Sequence, residues 1–124
     1  MKKLVIACLM FSGLALADKP AGKPAAAAKD KLTGEVVDIT CYASHAAKGE
    51  KHAACAQKCL QGGMPAGIVA DGKLWVVTMA DHTSPGAKLA AWAGKNVTAD
   101  GEKLEKDGAN IFEIDTVAPA AATK

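Results

Sequence analysis

The chain has 124 residues, of which 50% are hydrophobic, and it carries a formal net charge of +2 without a single arginine. This length predicts a single small domain. Phosphate backbones are usually bound by clustered basic side chains and bidentate guanidinium groups, so the composition argues against nucleic acid as a partner.

The first 17 residues have the pattern of a secretory signal peptide. Two lysines at positions 2 and 3 precede an apolar run over residues 4–14, and a small-x-small sequence at residues 15–17 follows. The apolar run is shorter than the roughly 18 to 20 residues that a transmembrane helix needs, so no stable membrane insertion is expected. We predict cleavage near Ala17 and a periplasmic or secreted mature protein.

Cleavage at this point changes both the charge and the cysteine count. It removes Lys2 and Lys3, so that the remaining lysines equal the 13 acidic residues in number. It also removes Cys8 and leaves three of the 4 cysteines. In an oxidising compartment, an odd number leaves at least one thiol outside any intramolecular disulfide. We therefore expect at least one cysteine to have another role.

Two segments rich in alanine flank the predicted domain. Residues 18–31 contain mainly Ala, Lys and Pro, which bury too little apolar surface to offset the entropy of ordering, and are predicted to form a disordered linker. Residues 119–124 are predicted to form a flexible tail. The domain then spans residues 32–118. A core of this size is marginal unless a metal or a disulfide supports it.

The first part of the domain predicts a strand followed by a helix. Alternation over residues 33–41 predicts a strand with Val37, Ile39 and Cys41 on one face and Cys41 at its end. A polar loop follows. Residues 52–60 then have helical composition, and a pair of glycines directly after them indicates where the helix ends.

The second part of the domain predicts four strands and a second, shorter helix. Asp71-Gly72 is a hairpin signal between two apolar segments. Strands are predicted over residues 66–70, 73–79, 96–104 and 110–117, and a short helix over residues 85–93.

Two stretches of the sequence resemble known bacterial proteins. Residues 94–101 and 108–114 are similar to the last two strands of periplasmic OB-type domains, which often read G-x-x-V-x-V-x-G, a glycine turn and I-x-I; Ala99 replaces a large β-branched residue. Cys41-Tyr42 and the His-x-x-Cys-Ala-x-x-Cys segment at residues 52–59 resemble a family of small uncharacterised periplasmic proteins. The resemblance implies an OB-like fold and a metal or redox site, and it supplies no known activity.

The predicted order of elements gives the fold class. Apart from the inserted helix, it is the order of the OB-fold, a five-stranded Greek-key barrel with a helix between its third and fourth strands. We therefore predict a mainly β protein, a small OB-like barrel. A helix bearing cysteine and histidine is inserted between strands 1 and 2, and a short helix lies between strands 3 and 4.

The inserted helix carries a candidate metal site. At 3.6 residues per turn, His52, Cys55 and Cys59 fall within about 60° of one another on one helix face. Cys41 can complete such a site from the rim of the barrel. His82, in the loop after the third strand, is a further candidate ligand. Thiolates and imidazoles that converge from a rigid element suit copper or zinc.

The identity of the metal is less constrained than the ligands. Three thiolates and an imidazole fit a closed zinc site, and they also fit Cu(I), to which Met64 could add a thioether. Methionines at positions such as Met64 and Met79 more often fill gaps in a core. The predicted periplasmic location favours copper slightly. The expected partners are a metal ion and a periplasmic metal-handling or redox protein.

Other roles for the cysteines remain open from sequence. Cys41 could form a disulfide with Cys55 or Cys59, contributing about 2 to 4 kcal/mol and leaving one spare thiol. Alternatively, Cys55 lies near a helix N-terminus, which favours the thiolate, and Cys41 could act as its resolving partner in thiol-disulfide exchange. The chain has no Cys-x-x-Cys motif of the thioredoxin type. The cysteines could also simply be buried.

Ligand binding by a generic OB-fold and enzymatic activity receive less support. Nucleic-acid-binding OB-folds expose aromatic side chains for stacking, whereas Trp75, Trp92 and Phe112 lie in apolar patterns that predict burial. The sequence contains no Gly-x-Ser-x-Gly, no His-Glu-x-x-His and no phosphate-binding loop. We therefore do not predict an enzyme.

Overall fold

The computed structural model describes residues 29–121, which form a closed barrel of five strands with short helices in two of the connections. The strands are β1 (Asp30–Asp38), β2 (Ala66–Ala70), β3 (Lys73–Met79), β4 (Asn96–Lys106) and β5 (Ala109–Pro119). The helices are α1 (Ile39–His45) and α2 (Glu50–Gln61) between β1 and β2, and α3 (Gly86–Leu89) with a 3-10 turn at Ala90–Trp92 between β3 and β4.

The strands close in the order β1-β2-β3-β5-β4, and β4 pairs back onto β1. All neighbouring pairs are antiparallel except β3 and β5, which are parallel. The prediction of a mainly β, small OB-like barrel is confirmed. No helix within residues 29–121 has the length and apolar character needed to cross a membrane. The predicted signal peptide lies outside the described residues.

The hairpin of β2 and β3 has the predicted boundaries. Asp71 and Gly72 form its two-residue turn with φ angles of 50° and 74°. Both angles lie in the left-handed region that a type I′ turn requires, and an Asp-Gly pair adopts it at low cost. The register that this turn sets continues through Ile68 opposite Trp75. Local turn chemistry thus fixes how these two strands pair.

The prediction for the end of β1 was wrong. The strand ends at Asp38, and Ile39 begins helix α1, so that Cys41 lies in the first helical turn. The reason is a helix cap: the Asp38 side chain accepts a hydrogen bond from the backbone N–H of Thr40 at 2.9 Å. Aspartate is among the preferred N-cap residues because it satisfies such an otherwise unpaired N–H. The cap turns the chain before the alternating pattern is complete.

Val37, Ile39 and Cys41 do not share one strand face as predicted, because β1 ends at Asp38 and α1 begins at Ile39. Leu32 and Val36 belong to the main hydrophobic core of the barrel. Val37 is buried outside that core cluster, and Ile39 is half-buried at the start of α1. Alternation along a strand places neighbours on opposite faces, and here both faces of the strand end are covered. The hydrophobic pattern alone therefore did not distinguish the inner face.

The barrel core contains the aromatic residues that the sequence predicted to be buried. Phe112 is fully buried, and the Trp75 ring meets it edge-on with a centroid distance of 6.5 Å. Trp92 is half-buried and packs against the same core. Helix α2 covers part of this core through Ala56 and Leu60, its two buried residues. The inserted helix is thus packed on the barrel.

The ordered strands extend slightly past the predicted domain limits. β1 begins at Asp30, two residues before the expected start, because Asp30 and Lys31 pair with Gly101 and Asp100 of β4. β5 continues to Pro119, one residue beyond the expected end. Residues 18–28 of the predicted linker and residues 122–124 of the predicted tail lie outside the described residues.

Candidate metal centre

Two helices in succession bring the three cysteines of the described chain into one region. α1 ends at His45 and is capped by Ala46, which has a left-handed conformation (φ 51°) and donates its N–H to the carbonyl of Tyr42 at 2.8 Å. The chain then turns through Gly49, whose N–H donates to the Glu35 carboxylate of β1. These contacts anchor the connection between α1 and α2 to the barrel. Cys41 therefore faces a helix that begins only a few residues later.

Helix α2 is held closely against the rest of the barrel. A methyl group added to Gly94 would lie 2.7 Å from the Gly49 carbonyl oxygen and 2.9 Å from the Ala53 side chain. Leu60 is 1% exposed and anchors the last turn of the helix. A helix fixed at both ends presents its cysteines in a defined direction.

The thiols of Cys41, Cys55 and Cys59 form a cluster, which we call the thiol cluster. Their Sγ atoms all lie within 4.8 Å of one another, and all three cysteines are free. Cys55 is exposed, whereas Cys41 and Cys59 are half-buried. A tetrahedral ion with metal–sulfur bonds of about 2.3 Å needs sulfur–sulfur distances of about 3.8 Å. The cluster could hold a metal ion after a small inward movement of the side chains.

A buried carboxylate lies against this cluster. Asp38 is only 1% exposed; its Oδ1 caps α1, while its Oδ2 is buried and has no hydrogen-bond partner of normal geometry among residues 29–121. Burial alone would raise the pKa of Asp38. Interaction with the thiols of Cys41 and Cys59 and the hydrogen bond from Thr40 outweigh this effect and lower the pKa. Asp38 is thus a buried anion beside two of the three thiols.

The same contacts keep two of the thiols protonated in the metal-free protein. Interaction with the Asp38 carboxylate is the largest cause that raises the pKa of Cys59 to about 11, with burial and the nearby negative charges adding to it. The pKa of Cys41 is raised for the same first reason. A bound cation reverses this balance, because it stabilises thiolates and releases their protons.

Neither of the two predicted histidine ligands, His52 and His82, belongs to the thiol cluster. His52 is half-buried on α2, and its Nε2 is buried without a hydrogen-bond partner among the described residues. His82 follows β3, with its side chain 79% exposed and its Nε2 3.3 Å from Oε1 of Glu113. Neither nitrogen belongs to the group of three sulfur atoms. Their role as ligands stays a prediction.

Met64 lies next to the thiol cluster and is not a core residue. Its side chain is 42% exposed, its Sδ accepts a hydrogen bond from Thr40 Oγ1 at 3.7 Å, and its N–H donates to the Cys59 carbonyl at 3.0 Å. Thr40 directly precedes Cys41 in the chain. The expectation that methionine fills a core gap is confirmed for Met79, which is buried, and is wrong for Met64.

Sequence reasoning missed Asp38 as part of this region. An aspartate at the end of an apolar strand was a usable signal, because Asp before a new segment commonly marks a helix N-terminus. The alternating pattern through Cys41 concealed that signal. With the cap recognised, Cys41 would have been placed on a helix.

Comparison with protein-family models, with curated proteins and with solved structures gives no match to this chain. The chemistry of the thiol cluster and of Asp38 is therefore the basis for assigning a function.

Proposed function

We propose that this protein is exported and binds a copper or zinc ion through Cys41, Cys55 and Cys59. The observation that supports this is the grouping of three free sulfur atoms within 4.8 Å on two anchored helices. Thiolates are preferred ligands of both Cu(I) and Zn(II). Three of them on a rigid support already form most of a coordination shell.

The exposure of the cluster favours binding or delivery over a purely structural role. Structural zinc sites are closed by four protein ligands, whereas exchangeable sites keep a position open. Cys55 is exposed, so an incoming ligand can reach the ion from solvent. A periplasmic metal-handling or redox protein could take up or supply the ion through this face.

Two side chains are candidates for the remaining coordination position. The buried, unpartnered Nε2 of His52 supports an imidazole ligand, which suits zinc and copper. The exposed thioether of Met64 beside Cys59 suits Cu(I) in particular. Both candidates lie on or directly after α2, so neither needs a large movement of the barrel.

The deciding experiment compares metal content with thiol content. The protein is expressed from the full sequence and purified anaerobically, and mass spectrometry establishes whether cleavage near Ala17 has occurred. We expect one metal ion per chain and three titratable thiols after denaturation. Cys55→Ser should lower the affinity at least about 100-fold, because one of three thiolates is lost.

Ala54→Ser is the matched control. It adds a hydroxyl to an exposed neighbouring position on the same helix and should leave metal binding unchanged. Metal-free wild-type protein that yields one thiol per chain would contradict the proposal. That result would support the alternative function, a disulfide-stapled or thiol-disulfide redox module.

The redox alternative draws on the same proximity, since Cys41 lies within reach of both other thiols. Reactive thiols need an accessible thiolate near neutral pH. The raised pKa values of Cys41 and Cys59 oppose this for two of the three thiols in the metal-free protein, and Cys41 is the thiol that would act as the resolving partner. Metal binding therefore remains the better supported function.

A further inference from the structure

Asp38 is a buried negative charge without a compensating positive charge. Its side chain is 1% exposed, and no ion pair to it forms within residues 29–121. A buried carboxylate is costly unless it is paired or fully hydrogen-bonded, and Oδ2 has no partner of normal geometry. A cation held by the neighbouring thiols would supply the missing charge.

The number of negative charges at the site favours a divalent over a monovalent ion. Three thiolates and the Asp38 carboxylate carry four negative charges when an ion is bound. Cu(I) leaves three of them uncompensated, whereas Zn(II) leaves two. Repulsion among uncompensated charges is strong at a partly buried site such as this one, where Cys41 and Cys59 are half-buried, so the divalent ion gains more from each added anion.

The chemistry of the carboxylate points in the same direction. Zinc takes aspartate oxygen among its ligands, as well as sulfur and nitrogen. Cu(I) is a softer ion that prefers thiolate and thioether ligands. We infer that Asp38 shifts the selectivity of the thiol cluster from a monovalent towards a divalent ion, so that the ratio of the Zn(II) to the Cu(I) affinity is higher with the carboxylate than without it. This inference rests on the proposed metal-binding function.

The variant Asp38→Asn tests the inference. Asparagine is as good an N-cap as aspartate and has nearly the same shape, so it removes the charge and keeps the start of α1. Affinities for Zn(II) and for Cu(I) are measured at one pH by competition with chromophoric chelators. We expect the ratio of the zinc to the copper binding constant to fall roughly 10- to 100-fold, because a unit negative charge near the ion is removed.

The ratio isolates the charge of Asp38 from its other effects. Removing the carboxylate also makes the thiols easier to deprotonate, but both ions need the same deprotonated thiols, so this change cancels. A loss of structure would weaken the binding of both ions together and would leave the ratio of their binding constants nearly unchanged. Asp100→Asn is the matched control, because it makes the same chemical change on β4 away from the cluster, and it should leave the ratio unchanged.

Each outcome has a distinct meaning. Wild-type protein that binds neither ion would refute the proposed function itself. Wild-type protein that binds both, with an Asp38→Asn ratio within about twofold of wild type, would overturn the role of Asp38 and leave metal binding intact. If Asp38→Asn does not fold, Asp38→Ser removes the same charge while keeping a favoured cap residue, and the same ratio decides.

Discussion

Asp38 contacts both the start of helix α1 and two of the three thiols. Oδ1 caps helix α1, and the carboxylate as a whole interacts with the thiols of Cys41 and Cys59. In the metal-free protein this arrangement raises the pKa of both thiols and so favours their protonated form. Asp38 thus determines where α1 begins, and it also favours the protonated form of the Cys41 and Cys59 thiols.

The protonated state of Cys59 predicts a loss of stability at alkaline pH. The folded-state pKa is raised from 9.0 to about 11, chiefly by interaction with the Asp38 carboxylate. A raised pKa stabilises the fold below the unfolded value and ceases to do so as pH rises through the folded value. We expect the free energy of unfolding of the metal-free protein to fall between about pH 9 and 11.

Urea unfolding at several pH values checks this prediction. Cys59→Ser removes the ionising thiol and should flatten the alkaline part of the curve, while the exposed Ala54→Ser should follow wild type. If the curves of Cys59→Ser and wild type run parallel from pH 8 to about 11, the thiol is not held protonated by Asp38.

At the scale of elements, local signals differ in how far they predict the structure. The Asp71-Gly72 turn specifies β2 and β3 by itself, because few other conformations suit that pair. Helical spacing likewise predicted that Cys55 and Cys59 share a face. Helix α1 was not predicted, since the alternation through Cys41 fits a strand and residues 42–45 fit a loop, and only the cap of Asp38 starts the helix.

The proximity of Cys41 to the other cysteines was predicted, but through a strand that does not exist there. Whether residues 39–41 form a strand or a helix, the chain runs from the end of β1 towards α2. The topology therefore brings Cys41 close to the other two cysteines. The role of Asp38 could not be derived from spacing, because it depends on how deeply the end of β1 is covered. Burial of a polar residue is a tertiary property.

Helix α2 depends on Leu60 for its position. This side chain is 1% exposed and belongs to the barrel core. Leu60→Ala should lower the free energy of unfolding by about 2 to 5 kcal/mol, the usual cost of removing a buried leucine. Urea unfolding measures the effect, with the exposed neighbour Gln61→Ala as the control. Equal costs for the two variants would show that α2 is not packed on the core.

At the scale of the whole molecule, the barrel is closed by the pairing of β1 with β4. Lys31 of β1 donates to Oδ1 of Asp100 in β4 at 2.6 Å, and Thr116 of β5 donates to Oδ2 at 3.4 Å. The hydrogen bond from Lys31 is the largest cause of the lowered pKa of Asp100. The Asp100 carboxylate thus links β1, β4 and β5 where the barrel closes.

The lowered pKa of Asp100 predicts a small loss of stability in acid. Its contribution is present above the unfolded value of about 4 and disappears as pH falls through the lower folded value. We expect Asp100→Asn to unfold at a slightly lower urea concentration than wild type at pH 7, with the difference shrinking below about pH 4. Asp107→Asn, in the exposed turn between β4 and β5, is the control. A pH-independent difference would indicate that shape rather than charge matters at this position.

The position of the cysteines along the chain also sets an order in time during synthesis. All three thiols exist once residue 59 has been added, whereas the barrel cannot close until β4, which begins at Asn96, has been made. The growing chain therefore carries its complete set of sulfur ligands before the last two strands are available.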